Sequence, residues 1–302
     1  MSTELNTKFT DDPLGFMKKY SVSPPDAIAH DLGRLRTTMA NTTGNDFDLT
    51  RMPTARKVAY LNFEKTPRGA VAAMGGAKGA SSITVDGTYS VRANAIQSYF
   101  LPWNAGSGII KLGIPALGTS PATDHVRYFF TASVNGCSIF IKGTPQAPQI
   151  YHAGGQTGHG NDPLAATNFW RDLMTRYTVA PIAGEVNKID YISDPTTTSG
   201  FTPHVDAFRT WVTGNAANDF TIERIDPWGC VMGLRDLAGN WGFYLQENAT
   251  IVHCKFSKAH WYSLKKSVKG TSYASARPML FRKFFPGGLA HVNFVPTMPR
   301  RL

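Results

Sequence analysis

VRYFFTASVNGCSIFIKGTPQAPQIYH, running from Val126 to His152, holds three apolar runs separated by two turn signals. Asn135-Gly136 suits a tight turn, and Gly143-Thr144-Pro145-Gln146 suits a four-residue loop. Short β-branched and aromatic runs between such signals read as strands. A hairpin centred on Thr144–Pro145 fixes a register by addition. Lys142 then faces Ala147, Phe140 faces Gln149, Ile139 faces Ile150, and Cys137 faces His152. Directly opposed side chains share a face, with Cβ atoms about 4.5–5.5 Å apart, so this register brings a thiol to an imidazole. Pro148 has no N–H to give to a ladder, which predicts that the second strand of the pair lies at an edge.

Outward from this segment the texture stays strand-rich. Val58–Phe63, Ser82–Val85 and Gln97–Leu101 precede it; Phe220–Ile225, Gly242–Leu245 and Thr250–Phe256 follow. One helix stands out. Asp162 is a favoured cap and Pro163 suits a first turn, and Phe169, Leu173 and Tyr177 beside Trp170 and Met174 give one broad apolar face. The expected fold is therefore α+β, with mixed or antiparallel, β-sandwich-like sheets flanked by a few helices. Residues 1–55 read as a polar N-terminal extension with one helix, Asp26–Met39; residues 56–302 read as one domain that ends in a basic segment. The Gly- and Ala-rich stretch Gly69–Gly79 reads as a loop, and no Gly-Lys-Ser/Thr closes it as a phosphate loop.

Composition narrows the class. A chain of 302 residues with 42% hydrophobic and 12% aromatic content can bury a full core. Its three cysteines, Cys137, Cys230 and Cys254, are too few for a disulfide framework, and none is spaced for a zinc knuckle. Reducing surroundings are expected. Met1–Asp12 is polar, and no run of about 18 apolar residues occurs, so neither a classical leader nor a membrane span is expected. The net charge of +10 is lopsided: no Asp or Glu follows Glu247, while ten Lys and Arg lie between Lys255 and Arg301. Such a segment suits an acidic partner, nucleic acid or anionic lipid, or is only a solvated basic face. Phe256, Trp261, Tyr262 and Tyr273 interleave with it, yet no RNA-recognition motif is readable.

The chemistry concentrates at Cys137 and His152. An imidazole beside a thiol on an apolar floor can take its proton and make it a nucleophile. A buried structural cysteine beside a core histidine is the competing reading, because free cysteines usually just pack. The other thiols fit catalysis poorly: Cys254 follows His253 directly, so the two point to opposite faces of a strand, and Cys230 has no histidine near it in sequence. His125 precedes the first strand of the central segment, and His159 lies in a Gly-rich loop, where it reads as a surface or substrate-loop residue.

At these residues the sequence resembles the cysteine glutamine-deamidase toxins. The lethal factor 1 type of Burkholderia is the nearer likeness; the catalytic domain of cytotoxic necrotizing factors and the chemoreceptor glutamine deamidases are more distant. The residues that carry it are Leu101-Pro102-Trp103, Phe129-Phe130-Thr131 ahead of Gly136-Cys137, Cys137-Ser138-Ile139-Phe140, Ile150-Tyr151-His152, and Asn168-Phe169-Trp170-Arg171. The likeness implies Cys137 as nucleophile, His152 as base, and Thr131 as the third member, orienting the imidazole through its hydroxyl or its carbonyl. A two-residue turn at Asn135-Gly136 would instead set Thr131 opposite Phe140, roughly 10 Å along the strand from Cys137. The implied reaction is attack of the thiolate on a glutamine carboxamide, loss of ammonia and hydrolysis of the thioester to glutamate, with no cofactor and no metal.

The likeness also implies a secreted effector without a classical signal peptide, delivered into a host cytoplasm. Its target would be a host protein, a translation-initiation RNA helicase by the nearer resemblance and a Rho-type GTPase by the more distant one. Inhibition of translation follows from the former. Nucleic acid stays open as a partner of the basic segment. The competing readings are a cysteine transglutaminase or peptidase on the same dyad, and a non-enzymatic basic binding module.

Overall fold

The structure, a computed structural model, describes residues 2–28, 58–65, 82–103, 108–155, 163–177, 180–191, 220–255, 271–287 and 290–291. Two helices open the chain, α1 (Ser2–Asp11) and α2 (Pro13–Lys19), followed by strand β1 (Ser21–Ser23). Strands β2 (Val58–Lys65), β3 (Ser82–Thr88), β4 (Ile96–Leu101) and β5 (Ile109–Gly113) come next. The central segment supplies β6 (Tyr128–Thr131), β7 (Ser138–Gly143) and β8 (Pro148–Ala153). Then follow α3 (Pro163–Tyr177), β9 (Ile182–Val186), α4 (Lys188–Tyr191), β10 (Phe220–Arg235), β11 (Trp241–Lys255), β12 (Thr271–Phe285) and β13 (Ala290–His291).

These strands form two sheets. The larger has nine strands in the order β1-β3-β2-β4-β6-β10-β11-β12-β13, mostly antiparallel but with parallel pairs β1–β3 and β4–β6. The smaller has four antiparallel strands in the order β5-β8-β7-β9. This is the expected α+β arrangement of mixed and antiparallel sheets with few helices. Among the described residues no helix is long and apolar enough to cross a membrane.

Alternation along the strands builds three apolar layers. Tyr99, Leu101, Phe129 and Phe243 of the large sheet meet Ile110, Ile139, Ile150 and Val186 of the small one in a shared core. The opposite parity of the large sheet, Phe63, Phe100 and Phe130, is covered by Phe9, Phe16 and Met17 of α1 and α2. The outer parity of the small sheet, Ile109, Phe140 and Tyr151, is covered by Trp170, Leu173 and Met174 of α3. That helix follows the apolar stripe read in the sequence; its expected cap, Asp162, lies outside the described residues.

Residues 2–28 are not an appendage, contrary to the expected extension. β1 is the edge strand of the large sheet, and α1 and α2 close one face of it. Their attachment is also polar. Gln246 Nε2 donates to Tyr20 O (2.8 Å), Gln246 Oε1 accepts from Val22 N (3.0 Å), and Ser21 Oγ donates to Asn248 Oδ1 (2.9 Å), all buried. These bonds explain a second difference. Gly242–Leu245 and Thr250–Lys255 are parts of one strand, β11, because the polar run Gln246-Glu247-Asn248 between them is buried and its Gln246 and Asn248 anchor the N-terminal segment; Phe256 lies outside the described residues. Of the expected Asp26–Met39 helix, residues 26–28 are a bend or irregular and residues 29–39 lie outside the described residues, as does the Gly69–Gly79 loop.

Candidate active site

The hairpin that carries Cys137 and His152 forms, with a register two residues away from the expected one. Ser138 pairs with Ala153, Ile139 with His152, Ile141 with Ile150, Lys142 with Gln149 and Gly143 with Pro148. The loop is Thr144–Ala147, not Gly143–Gln146. Ala147 N donates to Thr144 O (3.1 Å) and to Thr144 Oγ1 (3.2 Å), and Pro145 O accepts from Trp241 N (2.8 Å). Gly143 has φ +84°, and a Cβ there would lie 2.7 Å from Ala147 O, so the turn requires glycine at that point. Cys137 therefore does not face His152. An even shift keeps parity, however, so the two remain on one face, the face of Ile139 and Ile150. In a regular ladder such diagonal neighbours have Cα atoms about 7–8 Å apart, with Cβ atoms closer.

Pro148 is also differently placed from expectation. β8 lies between β5 and β7 and is an inner strand. Proline is tolerated because it is the first residue of the strand, where only its carbonyl is used, accepting from Ile114 N (3.0 Å).

Asn135-Gly136 is not a hairpin turn. β6 belongs to the large sheet and β7 to the small one, so residues 132–137 carry the chain between sheets. On the way Val134 bridges Gly229, each donating to the other's carbonyl at 2.8 Å. This removes the conflict over Thr131, which does not oppose Phe140. Thr131 pairs with Leu101 across β4–β6 and is fully buried, and its hydroxyl donates to Ala132 O (2.7 Å). The backbone group that bears on the imidazole's pKa is that of Pro102, next to Leu101, without forming a hydrogen bond to either ring nitrogen.

His152 is fully buried, and neither ring nitrogen has a hydrogen bond of good geometry. Burial pushes its pKa down to about 3, with the Pro102 carbonyl pulling slightly the other way. Cys137 is 6% exposed, and burial pushes its thiol up to about 11. Three N–H groups oppose that rise, the backbone N–H of Gly155 first, then the indole of Trp103 and the backbone N–H of Asn135; the Asp26 carboxylate adds to it. The resting pair is thus a neutral thiol and a neutral imidazole. Trp103 Nε1 is buried without a well-formed hydrogen bond, and Trp103 N donates to Asp26 O (2.7 Å), so the N-terminal segment forms one wall of the site.

The remaining candidates are elsewhere. Cys230 is fully buried, and burial alone drives its thiol well up. His125 meets Gln97 Oε1 in a polar cleft of about 350 Å³ between α1 and the start of β6, away from Cys137. His159 lies outside the described residues, as does most of the basic C-terminal segment. Arg282, one of its ten cations, is no surface charge. It is ion-paired inside the protein with Glu247 and donates to Asp190 O (2.6 Å). Among the described residues no three His, Cys, Asp or Glu side chains gather as metal ligands.

Sequence reading missed Pro102, Trp103 and Gly155 as working groups. The first two stood in the quoted Leu101-Pro102-Trp103 stretch, but their link to Cys137 depends on β4 lying beside β6 in a parallel pair, which short-range patterning does not reveal. No protein-family model matches this chain, and no curated protein matches it in sequence.

Proposed function

We propose that this protein is a cysteine-dependent amidohydrolase, a toxin or effector that converts a glutamine of a host protein to glutamate. The observation that carries the reading is the buried imidazole of His152, neither ring nitrogen in a well-formed hydrogen bond, on the same inter-sheet face as Cys137. A core histidine kept only for structure would be expected to satisfy at least one ring nitrogen. The likeness to the glutamine-deamidase toxins supports the same assignment.

In the proposed reaction His152 takes the thiol proton as sulfur attacks the carboxamide carbon. Because the resting groups are both neutral, that transfer belongs to the attack step and not to a preformed ion pair. Backbone N–H groups at the Cys137 turn hold the oxyanion, His152 returns its proton to departing ammonia, and water hydrolyses the thioester. Thr131 supports the Leu101-Pro102 segment from the neighbouring strand and orients the imidazole through it. The target is taken to be a host protein of the kind acted on by the nearer relatives, a translation-initiation RNA helicase.

The test is incubation of host-cell lysate with wild type and with Cys137→Ser, followed by peptide mass spectrometry. Glutamine-to-glutamate changes that appear with wild type only are the expected outcome. Peptide-bond cleavage, or incorporation of an added amine, would assign the same residues to a peptidase or a transglutaminase; no Cys137-dependent change of any kind would return the chain to a binding role.

A further inference from the structure

Tyr191 is fully buried, and its phenol sits in the turn that presents Cys137. Its hydroxyl accepts from Gly136 N (2.9 Å) and donates to Cys137 O (2.6 Å). Those two groups lie on either side of the peptide that joins Gly136 to Cys137. On that peptide itself, Gly136 O abuts Gly155, where a Cβ would come within 2.3 Å of the oxygen. Gly136 has φ +107°, which leaves this turn no helical or strand ladder to define it. A trans peptide points its C=O and N–H in opposite directions, so holding Gly136 O against Gly155 aims the Cys137 N–H the other way.

The phenol is itself held from two sides. Its ring packs at Gly229, where an added Cβ would be 3.2 Å from the ring. α4, which ends at Tyr191, is fixed by Asp190, whose carboxylate accepts from Asn187 N (2.7 Å) and whose carbonyl accepts from Arg282 (2.6 Å). This short helix is thereby tied to β12 of the large sheet.

We infer that Tyr191 is a positioning residue for the nucleophile turn: its hydroxyl clamps Gly136 N and Cys137 O so that the Cys137 N–H is aimed to receive an oxyanion. Its hydroxyl bonds go to backbone groups, and it acts through them. This rests on the amidohydrolase reading, and deepens it.

The test separates acyl transfer, which builds an oxyanion, from alkylation, which does not. With 4-nitrophenyl acetate, a sulfur–carbonyl bond forms, the thiol proton passes to His152, and 4-nitrophenolate leaves with the bonding pair, giving an acetyl thioester that water then hydrolyses. With iodoacetamide, sulfur displaces iodide and no oxyanion arises. Loss of one oxyanion donor costs about 10²–10³-fold, so misaiming one by Tyr191→Phe is expected to slow acetylation of Cys137 about tenfold or more while alkylation changes less than about threefold. Equal slowing of both reactions, or no slowing of either, overturns the positioning role. Should Cys137→Ser release 4-nitrophenolate as fast as wild type, the amidohydrolase reading fails, and the positioning role with it. A measurement on the unaltered chain guards against a poorly folding variant: the Gly136 amide, bonded to a buried phenol, is expected to be protected from hydrogen exchange. Exchange at the rate of an unstructured amide would overturn the clamp.

Discussion

Cys137 holds its proton at neutral pH, because burial outweighs the opposing pull of the Gly155, Trp103 and Asn135 N–H groups and pushes its pKa up to about 11. Alkylation by iodoacetamide follows the thiolate fraction, so the rate is expected to climb about tenfold per pH unit from pH 7 to 9 with no plateau on the acid side. A plateau near pH 6 in stopped-time mass spectrometry would reveal a thiolate–imidazolium pair and contradict the neutral one. His152 gives an independent signal. Its pKa falls from 6.5 to about 3 on folding, so its contribution to stability is fully present above pH 6.5, declines as pH falls below that, and is gone once pH has fallen through 3. Replacing it with leucine removes that term, worth at most about 5 kcal/mol, and the melting temperature of His152→Leu should fall less than that of wild type between pH 7 and pH 4. Cys137 and His152 were legible in the sequence as residues, since turn chemistry and strand texture put them on one hairpin. Pro102, Trp103 and Tyr191 were not legible as partners, because each reaches the site through a pairing between distant strands or through a helix more than fifty positions away.

Between elements, the decisive quantity is register. The sequence placed the strands of the hairpin correctly and its loop one residue too early, and a one-residue error at the loop centre becomes a two-residue shift in every pair. What sets the true loop is Gly143 in a left-handed conformation together with Thr144 bonding to Ala147 N, features that compete evenly with the other turn choice in sequence. The even shift keeps Cys137 and His152 on one face: an odd one would have turned His152 toward α3. Pro148 misled for a related reason, since a proline at a strand's first residue and one at a sheet edge look alike in sequence. At this scale Gly155 is the critical contact between β8's end and the Cys137 turn. Gly155→Ala forces a methyl group against the Gly136 carbonyl and is expected to cost about 1–3 kcal/mol in urea unfolding and to slow acetylation of Cys137. Unchanged stability and rate would mean that the two turns are not in contact.

Across the whole molecule, the N-terminal residues do the opposite of what their polarity suggests. Their polar positions face solvent or are bonded within the protein, Ser21 to Asn248 and Asn6 to Phe63 N and Asn94 O, while Phe9, Phe16 and Met17 fill one layer of the core. The fold class was readable because strands dominate the pattern; the role of residues 2–28 was not, because what holds them lies far along the chain, as Gln246 does, 229 positions from the Met17 carbonyl it bonds. Truncating Phe9 to alanine is expected to cost about 3–5 kcal/mol, a value that a dispensable extension would not approach, and thermal melts of Phe9→Ala against wild type decide between them. The same segment walls the site through Asp26 and Trp103, so its loss would disturb Cys137 as well as the sheet.

The proposed function is one reaction at one sulfur. Lysate treated in heavy-oxygen water with wild type, Cys137→Ser and His152→Ala provides the most direct measurement, read by peptide mass spectrometry. A new glutamate carrying one solvent oxygen at a defined glutamine, formed by wild type and by neither variant, is the result expected. The same conversion by Cys137→Ser would contradict the account.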